Sequence, residues 1–469
     1  MKKNKLYILI GLLFISICVF LLIFFNVEPD YFWHIKAGEY MFKNGPITHD
    51  VFSWIVNGKY WMSHEWLFEV ILYSLKLVFG NIHTIVYCFI SLFSLLLIVF
   101  VHNKEKLLKN IPYTLMYMTL FVVLSLGYIQ ARPHMMSFSF IALTICLLCD
   151  LYDNEDSKKV YFLPLIAVLW SNVHGGSSNL SYIFCIMFLF SGLFSFKMKR
   201  IEFKKLNKKQ IYKYLIVMVL CMIGICINIH GFKMFIYPYE NMLDTTMLNN
   251  ISEWQPTTLN SIFNYSYYIF LLIVIISIFF SNKKVRFIDL LLFVFTAFLG
   301  IKSIRFWLYC PIVMSFVIFE YFDDRKLDKG TFPIVAILIV ALVGMFIFNF
   351  KKVMNIDYKI NIDNKVVNKI KKENPKRLFN MYDYGGELVY HDIKVFIDGR
   401  ADLYSKYNYK DYLDISMGEG DYIKLIDKYD FDYLLVDKAY PIYDYLKDND
   451  QYDPVYKNKK MVLYKKIVN

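Results

Sequence analysis

Apolar runs alternate with short polar stretches over the first 350 or so positions, and the alternation then stops. Runs of ~20 apolar residues are long enough to cross a bilayer as helices. They fall at 6–25, 82–101, 113–130, 134–150, 160–178, 179–196, 212–229, 265–281, 287–302, 305–321 and 332–350, so the pattern predicts about eleven transmembrane helices. Asn26-Val27-Glu28 follows the first run in place of a small-x-small cleavage site, which predicts an uncleaved anchor. The run from Leu67 is shorter and carries Glu69 and Lys76; it reads as a helix lying at the interface. Beyond residue 350 the chain is rich in Asp, Lys and Tyr, with β-like runs at 377–380, 395–398, 432–437 and 461–465 between helix-like ones. That is the pattern of a small α/β domain. The expected fold class is therefore a polytopic α-helical membrane protein, with a membrane domain over 1–350 and an α/β domain over 351–469.

Lysine and arginine fix the expected orientation. The connections 102–110, 153–159, 197–213, 282–286 and 323–329 alternate to one side, and all carry positive charge. They are expected in the cytoplasm together with the N-terminus. The loops 28–66 and 229–264 and the C-terminal domain then lie outside. Composition supports the same class: 57% hydrophobic, 19% aromatic and 20% charged residues are too apolar for a soluble chain. The net charge of +12 raises nucleic acid as a partner, but its lysines sit in short loops between spans, which excludes that reading. All eight cysteines lie in apolar stretches, and Cys146 with Cys149 is helix packing, not a metal pair.

The loop 28–66 concentrates the chemistry. Glu28-x-Asp30 sets two acids side by side where a span ends, and Asp30, Trp33 and His34 share one face if 30–43 is helical. Tyr31, Trp33, Trp54, Tyr60, Trp61 and Trp66 suit the headgroup level, and an ordinary interfacial loop would share that aromatic content. Further polar residues cluster at the expected outer span ends: Arg132-Pro133-His134, Asn172-x-His174, Asn228-x-His230, Glu253 and Lys302-x-x-Arg305. Polar groups below the membrane surface need partners or water and mark a cavity. A recessed histidine is also a common structural residue, and arginines at span ends also snorkel to lipid.

These residues carry a resemblance. PDYFWH (29–34), SHEW (63–66), ARPH (131–134), VHGG (173–176) and IDGRADLY (397–404) occur in that order. The chain resembles the GT-C superfamily of integral-membrane glycosyltransferases, and within it a bacterial branch with PDFWWH, HEW, ARPH, HGG and DGR motifs. The superfamily plan is a first span, an outer loop with an ExD or DxD-like motif, many further spans and often an outer C-terminal domain; Glu28-Pro29-Asp30 stands where that motif would. The resemblance implies inverting transfer of a sugar, hexosyl or pentosyl, from a polyprenyl-phosphate donor to an extracytoplasmic acceptor (glycan, lipid or protein). For that chemistry Asp30 is the candidate base and Glu28 its alternate. Lys302, Arg305 and Arg132 would hold phosphate. His34, His64 and Glu65 would contact substrate, His64 and Glu65 through the acceptor or a metal; His134, Asn172, His174, His230 and Glu253 would line the cavity. The departure from a strict DxD leaves the metal open: a divalent cation, Mg²⁺ or Mn²⁺, is admitted but no ligand spacing specifies it. Asp398 and Arg400 read first as a pair fixing a turn, and Tyr384-Gly385-Gly386-Glu387 as a tight turn opening a helix.

Two other classes compete. A lipid-linked-sugar flippase would show paired half-repeats or charged, broken helices near the midplane, and neither is visible in the sequence. The recessed polar clusters argue against a non-enzymatic envelope-assembly protein whose outer domain binds a partner, and that reading stays an alternative. The outward-facing loop and C-terminal domain are testable together: a Ser405→Cys variant should react with an impermeant thiol reagent in intact cells. Labelling that requires permeabilisation would reverse the orientation.

Overall fold

The computed structural model describes residues 2–193, 195–196, 198–259, 262–321, 331–356, 358 and 361–467. The chain divides into two compact units.

The first unit comprises 1–26, 75–239 and 251–356. Among the described residues seven helices are long and apolar enough to cross a membrane: Lys5–Phe24, Trp66–Leu107, Ile111–Tyr128, His134–Asp153, Gly175–Leu193, Lys208–Cys226 and Pro333–Met354. Lys159–Val173 and Asn264–Phe279 are shorter apolar helices. The expected run 160–178 breaks at His174, where Leu163–Val173 ends and the turn Gly175–Ser177 begins. The run 305–321 holds one short helix, Tyr309–Met314, between 3₁₀ turns. Its side chains from Tyr309 to Phe319 are buried, and irregular backbone is tolerated at membrane depth when it is enclosed by protein. The last long helix is the opposite case: Ile337, Val340 and Phe348 are 67%, 70% and 89% exposed. Apolar surface of that kind needs lipid, and with the other long apolar helices it makes this a multi-pass membrane protein.

The connections expected on one side of the membrane meet one another. Ile201–Glu202 pairs in parallel with Val285–Arg286. Lys213 Nζ donates to the carbonyls of Glu155 at 2.7 Å and Ser157 at 2.8 Å; Arg286 pairs with Asp153 at 3.3 Å and Lys106 with Glu320 at 2.5 Å. The basic segment 323–329 lies outside the described residues.

The second unit gathers 27–74, 240–250 and 357–469, so the first polar loop and the C-terminal region fold together. Its sheet holds β1 (Leu378–Asn380), β2 (Tyr433–Asp437), β3 (Tyr452–Lys457) and β4 (Met461–Lys466) in the order β1-β2-β4-β3. β1 and β2 are parallel and the other two pairings antiparallel. Three of the four β-like runs are strands. The fourth, 395–398, makes only a single bridge, from Val395 to Ser53. β3 escaped the sequence reading because Pro454 interrupts it, and proline is tolerated in a strand at a sheet edge.

Helix α1 (Asp30–Asn44) opens after Pro29, carries Asp30 in its first turn and stops at Gly45, whose φ of 85° suits glycine. Helix α2 (Trp66–Phe79) starts with the Glu69 amide bonded to the Glu65 carbonyl at 3.1 Å. The two meet at Gly38, where a Cβ would overlap the Glu69 carbonyl. Glycine in mid-helix lowers helix stability, and the close approach explains its presence. A Gly38→Ala variant should destabilise detergent-purified protein by about 1–3 kcal/mol of overpacking, read as a lower unfolding midpoint. An unchanged midpoint would mean that the helices do not touch there.

Candidate active site

In the second unit the polar loop is fixed by one buried cation. Arg400 donates through Nε and one terminal nitrogen to Asp398 at 2.8 and 2.6 Å, and through the other terminal nitrogen to Asp50 at 2.6 Å. All three side chains are fully enclosed. Tyr404 donates to Asp398 at 2.9 Å, and the guanidinium lies 4.6 Å from the Trp61 ring centroid and 5.2 Å from that of Phe52. Burial alone would raise the Asp50 carboxyl, but the Arg400 charge and the Ser53 hydroxyl and amide outweigh it and hold it below the ordinary carboxylate range. Asp398 and Arg400 do pair at a turn, and the same guanidinium reaches the polar loop.

Asp30 opens α1. Its Oδ1 accepts from Trp33 Nε1 at 3.1 Å, and the carboxylate lies flush against Gly399, where a Cβ would strike it. Glu28 lies just before the helix, its carbonyl accepting from the Tyr31 amide at 3.1 Å. His34 is buried one turn past Asp30: Nδ1 is 3.1 Å from Glu69 and Nε2 is 3.5 Å from Glu65. His64 Nε2 is 3.0 Å from the other Glu65 oxygen, and its Nδ1 is 3.7 Å from Asp402. Among the described residues, His34, Glu65 and Glu69 are the one group arranged to hold a metal ion. Sequence reasoning missed Glu69 and Asp50. Glu69 was legible as the i+4 neighbour of Glu65 on a helix; Asp50, in a loop, left no comparable signal.

The remaining candidates belong to the first unit and form two groups. Arg132 pairs with Glu253 at 2.6 Å, and Arg305 lies 4.0 Å from the other Glu253 oxygen and 5.1 Å from the Trp254 ring. Arg132, ahead of burial, sets the Glu253 carboxyl below its usual range. His134, at the start of its helix, is 3.2 Å from the Tyr128 carbonyl. Lys302 ends its helix exposed. In the second group, His174 Nδ1 is 2.7 Å from Ser137 Oγ and 3.0 Å from Ser177 Oγ, with Trp170 Nε1 donating to both hydroxyls. Asn172 donates to the carbonyls of Val168 and Ile227 and accepts from Asn228, which also caps the His230 amide. These contacts stitch helix ends together.

No protein-family model matches the chain, and no curated protein does. Solved structures do. Archaeal oligosaccharyltransferase AglB from Archaeoglobus fulgidus, in complex with an inhibitory peptide and a dolichol-phosphate, aligns with a TM-score of 0.55 at 10% identity, over 92% of this chain and 70% of that one. The Archaeoglobus fulgidus oligosaccharyltransferase tethered to an acceptor peptide gives 0.53 at 11%, over 93% and 70%. The apo form gives 0.51 at 9%, over 87% and 66%. The chain therefore shares its fold with these oligosaccharyltransferase structures.

Arg400→Met would leave Asp50 and Asp398 enclosed without their cation and should destabilise the protein by about 3–5 kcal/mol. Adding Asp50→Asn should restore part of that loss, because the two sites are coupled. Asp50 has a folded pKa below its unfolded value of ~3.9. Its contribution is thus complete at neutral pH and lost as the pH falls through the folded value. Unfolding midpoints measured against pH check both, and purely additive effects would refute the coupling.

Proposed function

We propose that the chain is a membrane glycosyltransferase that moves a sugar from a polyprenyl-phosphate donor to an acceptor hydroxyl outside the cytoplasm. The observation that carries this reading is Asp30, a carboxylate at the head of α1, held by Trp33 and seated on Gly399 within a fold shared with oligosaccharyltransferase. Those neighbours hold an acceptor peptide in one case and an inhibitory peptide with a dolichol-phosphate in the other, which supports a lipid-linked donor and a separate acceptor here. The order of the PDYFWH, HEW, ARPH, HGG and DGR motifs supports the bacterial branch.

In the step, the acceptor oxygen attacks the anomeric carbon and gives its proton to Asp30. The bond from that carbon to the phosphate oxygen breaks, and its electron pair leaves with polyprenyl phosphate. A single displacement of this kind inverts the anomeric centre. The proposal gives the developing phosphate charge to Arg132, Lys302 and Arg305. Arginine suits that task through its fork of donors, and Glu253 pairs with Arg132 at 2.6 Å and lies 4.0 Å from Arg305. Glu28 stays the alternate base, and His64 is assigned to acceptor binding around Asp30.

Asp30→Asn keeps the shape of the side chain and removes the basic oxygen. With purified protein and a panel of polyprenyl-phosphate sugars, release of polyprenyl phosphate should fall ~10²–10⁴-fold in a variant that inserts and folds normally. Arg305→Ala should instead raise the donor KM or slow leaving-group departure. Wild-type turnover by Asp30→Asn would overturn the base assignment.

A further inference from the structure

We infer that His34, Glu65 and Glu69 form a site for one divalent transition-metal ion, Mn²⁺ or Zn²⁺, that fastens α1 to α2. One donor atom from each residue lies within 4.8 Å of the other two. The carboxylates come from positions i and i+4 at the head of α2, joined by the Glu69 amide to Glu65 carbonyl bond, and so share one helix face. The imidazole comes from α1, at the crossing that Gly38 brings into backbone contact.

Charge makes the case for a cation. His34, Glu65 and Glu69 are 1%, 7% and 0% exposed. Arg400 is paired with Asp50 and Asp398, while the Glu65 and Glu69 carboxyl groups converge on the His34 imidazole, and buried carboxylates are retained when paired or bound to metal. A divalent ion offsets the Glu65 and Glu69 charges and leaves the imidazole neutral, the form that ligates. One imidazole with two carboxylates suits Mn²⁺ or Zn²⁺; an all-oxygen cage would suit Ca²⁺ or Mg²⁺, and thiolates would suit softer ions.

The surroundings fit as well. His64 Nε2 reaches the second Glu65 oxygen at 3.0 Å and Ser63 Oγ the second Glu69 oxygen at 3.4 Å, the kind of outer contact that orients ligating carboxylates. The Trp33 ring centroid is 3.7 Å from that of His34, and Phe68 meets His34 edge-on at 5.2 Å, which walls the ion from water. An ion so enclosed acts on position. His34 lies one turn past Asp30 on α1, so the ion would hold Asp30 against Gly399. That consequence rests on the proposed function; the binding itself does not.

The test uses the full chain in detergent, stripped with EDTA and dialysed. Free Mn²⁺ is followed by electron paramagnetic resonance, and Zn²⁺ by competition with a chromophoric chelator. One ion per chain should bind, with a rise in the thermal midpoint. Glu69→Gln and His34→Gln should each weaken binding by more than the ~10–100-fold typical of losing an outer-shell partner, while Glu39→Gln, on the outer face of α1, should bind as wild type does. The proposal falls if the monodisperse wild-type chain takes up neither ion, if Glu69→Gln binds as tightly as wild type, or if binding leaves the midpoint unmoved. The first result would leave His34 as a contact between Glu65 and Glu69 without an ion. Should the variants fail to fold, the wild-type stoichiometry and midpoint decide alone.

Discussion

A guanidinium without exposed surface is the constraint on which the second unit depends. Arg400 cannot lose its proton and cannot reach water, so its donors must be met by the protein. Asp398 and Tyr404 come from its own segment, while Asp50 comes from a loop 350 residues away in sequence. Meeting that demand fixes the loop. With Asp50 held, its second oxygen takes the Ser53 amide and hydroxyl at 3.0 and 2.7 Å. Ser53 then pairs with Val395 as a bridge, and the Trp54 indole donates to the Leu378 carbonyl at 2.9 Å. Loop and sheet are locked by directional contacts in addition to the buried side chains of Ile47, Phe52, Val56 and Trp61.

Short motifs from distant parts of the sequence become one structure here. Gly399 is small because the Asp30 carboxylate occupies the space a Cβ would fill, and Gly386 because the Pro29 carbonyl does. Glu387 is buried to accept the amides of Asn361 and Ile362 at 2.6 and 3.0 Å. Asn380 completes the frame by taking the Phe396 amide and donating to the Ile397 carbonyl. The glycines and acids that mark PDYFWH, YGGE and DGR thus record one packing arrangement, within which Asp30 and the His34 group sit.

Much of the fold was legible because lipid imposes simple rules. The helices at 134–153, 208–226 and 287–302 lie close to where the apolar runs place them. Three strands follow their β-like runs. What the pattern does not specify is backbone that other protein surrounds. The 305–321 run is as apolar as its neighbours, yet enclosure lets it bend into short turns. Pairings between distant polar residues were equally hidden. DGR advertised a local Asp398–Arg400 pair, but nothing near it pointed to Asp50, and the two oxygens of Glu69 look in sequence like a mere interruption of an apolar helix. The eight histidine, asparagine, glutamate and basic candidates of the first unit were visible as a class; their division into an Arg132–Glu253–Arg305 group and a set of helix-end ties was not.

That division follows from what each residue can exchange. His174 has its Nδ1 beside two hydroxyls that already receive the Trp170 indole, and Asn172 spends its amide on two carbonyls. Withdrawing either to meet a substrate would strand polar groups in an apolar interior, at about 1–3 kcal/mol each. The Arg132–Glu253–Arg305 group is different: two cations share one carboxylate, and Arg132, Arg305 and Glu253 keep 16%, 30% and 38% of their side chains exposed. An anion arriving there meets two part-exposed guanidinium groups. The physical asymmetry between a buried, satisfied tie and two part-exposed arginines on one carboxylate is the reason the phosphate role is proposed for the Arg132–Glu253–Arg305 group.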